Sequence, residues 1–291
     1  MRARGLWGFL LLAVAVPGWT QASGGGGQEI VVRAPRQAER AALWNQVRAV
    51  TGRSPSDDPI ARFNDPVCIG SLGLARGVTS AILDRMIEVA EDSGIRTAGT
   101  PCEPNVLVLF VDQGREEVRK LAAKGHSAFA GLSRAALRKL LAEPGPAQAW
   151  NVTEVRSRDG DPVMPGTSMG RPPTLKVSVA SRIAASIRQD ILAAVVVIDR
   201  QALIGKSPKQ IADYAAMRTF VRTTPPAHAA ADTILSLFRE EGAAPAGLTP
   251  FDRAVLRGLY AGPANRFART GQAKMVSLAM GEQAEAGAQD D

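Results

Sequence analysis

The sequence predicts an α+β fold, a mixed β-sheet with a helical C-terminal half. Two continuous apolar runs, 105–111 (NVLVLFV) and 191–199 (ILAAVVVID), carry the sheet. Both are short, rich in β-branched residues and almost free of polar positions, so each strand must be covered on both faces. Helical periodicity dominates the rest, above all after Ser207, where three apolar segments follow the second run. Hydrophobic residues make up 45% of the 291, enough to bury a sizeable core.

At the N-terminus, Arg2 and Arg4 precede an apolar stretch that runs to Val16 and stops at Pro17-Gly18. Small residues around Ala22 complete a secretory signal peptide over 1–22. No cysteine follows the apolar stretch, so a lipid anchor is not expected. No later segment reaches about 18 uninterrupted apolar residues. The mature chain is therefore expected in the periplasm or secreted, with no integral membrane segment after cleavage. The formal charge of +7 falls by two, to +5, when Arg2 and Arg4 leave with the signal. That excess is spread along the chain without interleaved aromatics, which argues against nucleic acid. It suits solubility or contact with an anionic envelope surface.

Residues 23–28 (SGGGGQ) form a flexible leader, 29–280 a single α+β domain, and 281–291 a polar tail expected to be disordered. The only cysteines are Cys68 and Cys102. In an oxidising compartment an isolated pair is most simply one disulfide, with two buried free thiols as the alternative.

Within the domain, 29–33 (EIVVR) reads as a short strand, 43–50 as a helix, and 51–59 and 68–74 as irregular. Residues 76–93 form a helix with Val78, Ile82, Met86 and Val89 on one face, widened by Leu83, Ile87 and Ala90. Asp84, Arg85, Glu88 and Glu91 take the other face, and Gly94 stands where a helix-ending glycine belongs. Helices are expected over 114–123 and 133–143, the second capped by Ser133. Strands over 150–157 and 174–179 would be joined by the Gly- and Pro-rich connection RDGDPVMPGTSMGRPP. Asp159 and Asp161 in that connection have no further acidic residues at calcium-loop spacing, so it reads as a turn. Ser207 and Pro208 start a helix over 207–221; a second covers 231–238 (ADTILSLF). Thr249, Pro250 and Asp252 start a third, whose apolar face is Phe251, Val255, Leu256, Leu259 and Tyr260. A last helix covers 264–280.

Chemistry-bearing residues are sparse. The chain has two histidines, His126 in KGHSAF and His228 in PPAHAA, both in connections. Gly205-Lys206-Ser207 lacks the upstream glycine of a phosphate loop and reads as a helix start. The helix over 207–221 is apolar almost all round, as a buried helix is. Its Asp213 must then point inward and needs a partner, an arginine for example, or else serve as a functional acid.

The order of apolar strand, central helix, Asp-Thr-Ile-Leu and Leu-Thr-Pro-x-Asp helix resembles a family of exported bacterial proteins of unknown function that are similar to degenerate zincin-like metallopeptidases. The matching residues are Asp232 to Leu235, Phe238, Leu248 to Pro250, Asp252, Leu259 and Tyr260. The resemblance covers the last third of the chain and implies a zincin-like scaffold. It also implies that Ala212 and Ala216 stand at the two ligand-like positions of the central helix, and Asp213 where a zincin has its glutamate. Zinc hydrolysis needs three protein ligands and an open position, and alanine offers none. The expected function is non-enzymatic binding of an unknown protein or envelope component, with no catalytic residue, metal or cofactor. The alternatives are a hydrolase built on Asp213 and Tyr214 and a small-ligand module using the 158–173 connection.

Overall fold

The computed structural model describes residues 37–53, 56–166, 170–177, 182–225, 232–239 and 244–289. The signal, the leader, the strand expected over 29–33 and His228 lie outside these residues. The chain order is helix α1 (Gln37–Thr51), strand β1 (Ile69–Leu72), helix α2 (Arg76–Asp92), strand β2 (Val106–Val111), helices α3 (Gly114–Ala123) and α4 (Arg134–Ala142), and strands β3 (Ala147–Ser157) and β4 (Ile187–Asp199). Helices α5 (Pro208–Phe220), α6 (Pro250–Tyr260) and α7 (Ala268–Gln289) complete it. The fold is α+β.

The sheet has four strands in the order β1-β2-β4-β3. β1, β2 and β4 run parallel, and β3 pairs antiparallel with β4 at one edge. The two apolar runs sit side by side in the middle, as their composition requires. Val106, Val108 and Phe110 of β2, with Ala194, Val196 and Ile198 of β4, face the larger core, shared with α2, α5, α6 and α7. Val195 and Val197 face the other way, onto Val118 of α3, Leu140 of α4 and Trp150. Trp150 stacks on Phe129 at 4.9 Å and donates its indole N–H to the Ala128 carbonyl at 2.8 Å. Helices on both faces thus cover most of the apolar rows of the two runs, while Leu192, at the start of the second, stays 38% exposed.

Several local signals act as read. Gly94 has φ +79° just past α2. Ser133 caps α4 by accepting the Ala136 N–H at 3.1 Å. Others are overruled. Ile69–Leu72, read as irregular, is β1, because β2 offers it a free parallel edge. Thr174 does not open a second strand beside β3. It exchanges backbone hydrogen bonds with Met164 at 2.8 and 3.0 Å in a small local pairing, while β3 takes β4 as its partner. Of the helix expected over 231–238, the described residues 232–238 form one 3-10 turn, Ile234–Ser236. Val78 and Ile87 of α2 are each 39% exposed, so its buried stripe is narrower than its periodicity implies.

The polar tail is helical as far as Gln289, well beyond Met280, so the disordered tail is corrected over most of its length. Alanine, glutamate and glutamine favour the helix. Glu282 anchors it by accepting from Arg253 at 3.0 Å and Arg257 at 3.2 Å on α6. The two helices approach closely at Gly258, where a Cβ would lie 2.7 Å from Met275 Cγ.

Cys68 and Cys102 form a disulfide with their Cα atoms 6.1 Å apart. It ties the lead-in to β1 to the lead-in to β2 across a sequence separation of 34. Chain-entropy loss in the unfolded state makes such a bridge worth about 4 kcal/mol. Thiol titration of denatured, unreduced protein from an oxidising compartment should find no free thiol. Two titratable thiols would contradict the bridge.

Candidate functional site

Helix α5 carries the two candidate residues, Asp213 and Tyr214. Its start is built locally. The Ser207 hydroxyl accepts the Gln210 N–H at 3.2 Å, the Gln210 side chain accepts the Ser207 N–H at 3.0 Å, and Pro208 sets the first turn. From Ile211 to Phe220 every residue is buried. The sheet, α2, α6 and the 3-10 turn enclose the helix, so each polar side chain on it must find a partner inside.

Asp213 finds three donors. Arg85 of α2 reaches it through Nε at 2.7 Å and Nη2 at 3.3 Å, a two-point grip on the carboxylate. The backbone N–H of Leu248 donates to Oδ2 at 2.7 Å. Gly247 allows this approach, because a Cβ there would lie 2.6 Å from Asp213 Oδ2. Arg85 also holds Glu88 at 2.8 Å, so the α2 face read as solvent-facing carries a bridge into the core. These hydrogen bonds, first of all that to Asp213, push the Arg85 guanidinium above its ordinary value.

Tyr214 faces different neighbours and shares no hydrogen bond with Asp213. Its hydroxyl accepts from Arg218 Nη1 at 3.1 Å, and its ring meets Phe238 edge-on at 4.8 Å. Burial raises the phenol above its ordinary value, so it stays neutral and is no base near neutral pH. Arg218 is 1% exposed and forms an ion pair with Glu143, just past α4, at 2.6 Å. Its Nε and Nη2 have no hydrogen-bond partner. Sequence reading missed Arg85, Glu143 and Arg218 as partners. The usable signal was Arg218 itself, a charge four residues from Tyr214 on a helix with no polar face.

Ala212 and Ala216 are fully buried in the larger core. His126 is exposed, and its Nδ1 accepts the Ala128 N–H at 3.1 Å, capping a short turn. Among the described residues no group of three or more His, Cys, Asp or Glu stands together as a metal site. In the 158–173 connection the Asp161 carboxylate accepts from the Ser157 hydroxyl at 2.9 Å, as turn residues do.

Three of the residues that carried the family resemblance, Thr233, Ile234 and Thr249, meet around Asp252. Its carboxylate accepts from the Thr233 hydroxyl, from the Ile234 N–H at 2.7 Å, and from the Thr249 N–H at 3.1 Å and hydroxyl at 3.0 Å. The one proton of the Thr249 hydroxyl is shared between this carboxylate and the Asp232 carbonyl, 2.9 Å away. Desolvation is the largest influence and pushes the Asp252 carboxyl up to about 6 against the pull of those donors. Tyr260, at the end of α6, donates to the Phe220 carbonyl at 2.7 Å and accepts the Phe63 N–H at 3.2 Å. Asp232, Thr233, Thr249, Asp252 and Tyr260 therefore clasp the last third of the chain around α5. No protein family, curated protein or solved structure matches this chain.

Proposed function

We propose that this protein is an exported, non-catalytic binding protein on a catalytically empty zincin-like scaffold, acting on an envelope component. One observation carries the reading. The two candidate groups of the central helix are committed to internal partners, Asp213 to Arg85 and Leu248 and Tyr214 to Arg218, which also pairs with Glu143. A general acid or nucleophile needs an accessible atom and a poised partner. Here the atoms are sealed in the core, and Asp213 and Tyr214 are turned away from each other. The two alanines pack as core residues and offer no ligand atom to a zinc ion. The N-terminal pattern and the disulfide support export to an oxidising compartment.

The test uses untagged protein recovered from the periplasm without chelators. Its intact mass should correspond to a chain beginning near Ser23, and elemental analysis should give well under one zinc per chain. Stoichiometric zinc, lost on replacing His126 or His228, would overturn the non-catalytic reading. A mass that retains Met1 would overturn export.

A further inference from the structure

A cleft of about 420 Å³ opens where α1 ends and α7 begins. The end of α1, the segment 58–61, Gln189 of β4, Lys139 of α4 and the chain just past α5 form its walls. A smaller recess of about 90 Å³ shares Lys139, Arg222 and Thr224 with it and continues toward Trp150 and Glu143. Openings of the larger size suit small molecules rather than folded partners.

The charge of this cleft is one-sided. Arg53, Lys139 and Arg222 converge on it from three separate segments, and Asp58 is its one carboxylate among the lining residues. Asp58 already accepts the Ser56 hydroxyl. Lys139 donates to the Thr224 hydroxyl at 3.1 Å. Among the described residues none of the three cations has a carboxylate within ion-pair distance. Other surface arginines do: Arg200 holds Asp112, Arg156 holds Glu154, and Arg253 and Arg257 hold Glu282. Cations gathered in a concave, low-dielectric wall focus a positive field and concentrate anions.

The frame that holds them is pre-organised. Gln272 of α7 donates to the Thr51 hydroxyl at 3.0 Å and the Gly52 carbonyl at 2.9 Å, fixing the end of α1 against α7. Asp57 accepts the Ala268 N–H at 3.2 Å through its carbonyl and the Arg269 N–H at 2.7 Å through its carboxylate. Gln189 lines the wall together with the cations, and Ile60, Ala61 and Ala268 add apolar lining. Among the described residues the lining of this cleft has no aromatic ring on which a base could stack, which argues against nucleic acid.

We infer that this cleft binds a small organic anion, its carboxylate or phosphate taken by Arg53, Arg222 and Lys139 and its polar body set against Gln189 and Thr224. This goes beyond the reading of α5 and does not depend on whether that helix is catalytic.

Isothermal titration of the full mature protein with glucose 6-phosphate, glucuronate and glucose tests it. The two anions should bind and neutral glucose should not. Affinity should fall as salt rises, because the contacts are exposed charges. Arg222→Gln and Lys139→Gln should each weaken binding by about tenfold, the loss of one charge-assisted hydrogen bond. Both side chains are exposed, so their melting temperatures should match the parent. Arg138→Gln, one residue from Lys139 but outside the cleft, should bind as the parent does. Two results overturn the inference: no saturable binding of either anion at about 10 mM, or binding that survives the double variant Arg53→Gln, Arg222→Gln unchanged.

Discussion

Replacing Asp213 by alanine should destabilise the protein by about 3 kcal/mol, the low end for breaking a buried ion pair by removing one member. The low end applies because Arg85 is 22% exposed at its side chain and can turn its charge toward water and Glu88. The Leu248 N–H cannot, and loses its acceptor at 2.7 Å. Asp213→Asn keeps an acceptor for that N–H but gives up the charge, so it should lie between parent and alanine variant. Urea or thermal unfolding measures both. A variant at least as stable as the parent that loses ligand binding or turnover would make Asp213 functional instead.

Asp252→Ala should cost a similar amount, about 2–6 kcal/mol, because the carboxylate is the common acceptor for donors from two chain segments and at least two of them are left buried without it. Its loss leaves the Thr233 hydroxyl and the Ile234 N–H buried without it and opens the capping box of α6. Asp252 also sets a pH dependence with a definite sign. Its carboxyl is held at about 6 in the folded protein against an ordinary value of 3.8. Between these values the folded protein binds a proton that the unfolded chain has released. This group therefore favours folding below about pH 4, and stability falls as pH rises to about 6, then levels off. The amide introduced by Asp252→Asn cannot titrate, so the stability gap between the parent and this variant should narrow across that window. Thermal melts from pH 4 to pH 7 measure it; a constant gap would mean that the donors, not burial, govern the carboxyl.

Much of the fold was legible because its causes are local. The β-branched runs of β2 and β4 announce buried strands whatever surrounds them. The Ser207-Pro208 and Thr249-Pro250 starts satisfy orphan N–H groups within a single turn, so their sequence suffices. The burial of α5 followed from its lack of a polar face, and with it the need of Asp213 for a partner.

The partners were not legible, because each lies far along the chain. Arg85 stands among Asp84, Glu88 and Glu91 on a helix face that periodicity assigns to water; only the packing of α2 on α5 turns it inward. Thr233 and Ile234 lie in a stretch with helical composition, yet the carboxylate of Asp252 holds them in a single turn, since a buried acceptor with several donors outweighs weak propensity. β3 chose β4 over the nearer residues around Thr174 because that pairing completes the sheet and seats Trp150 on Phe129. The cation-lined cleft likewise joins Arg53, Lys139 and Arg222, three exposed residues with no pattern in common. By itself the sequence determined the segments whose hydrogen bonds and burial close within a few residues. Tertiary structure decided every pairing between distant segments, because burial and electrostatics act through space and local propensities do not reach that far.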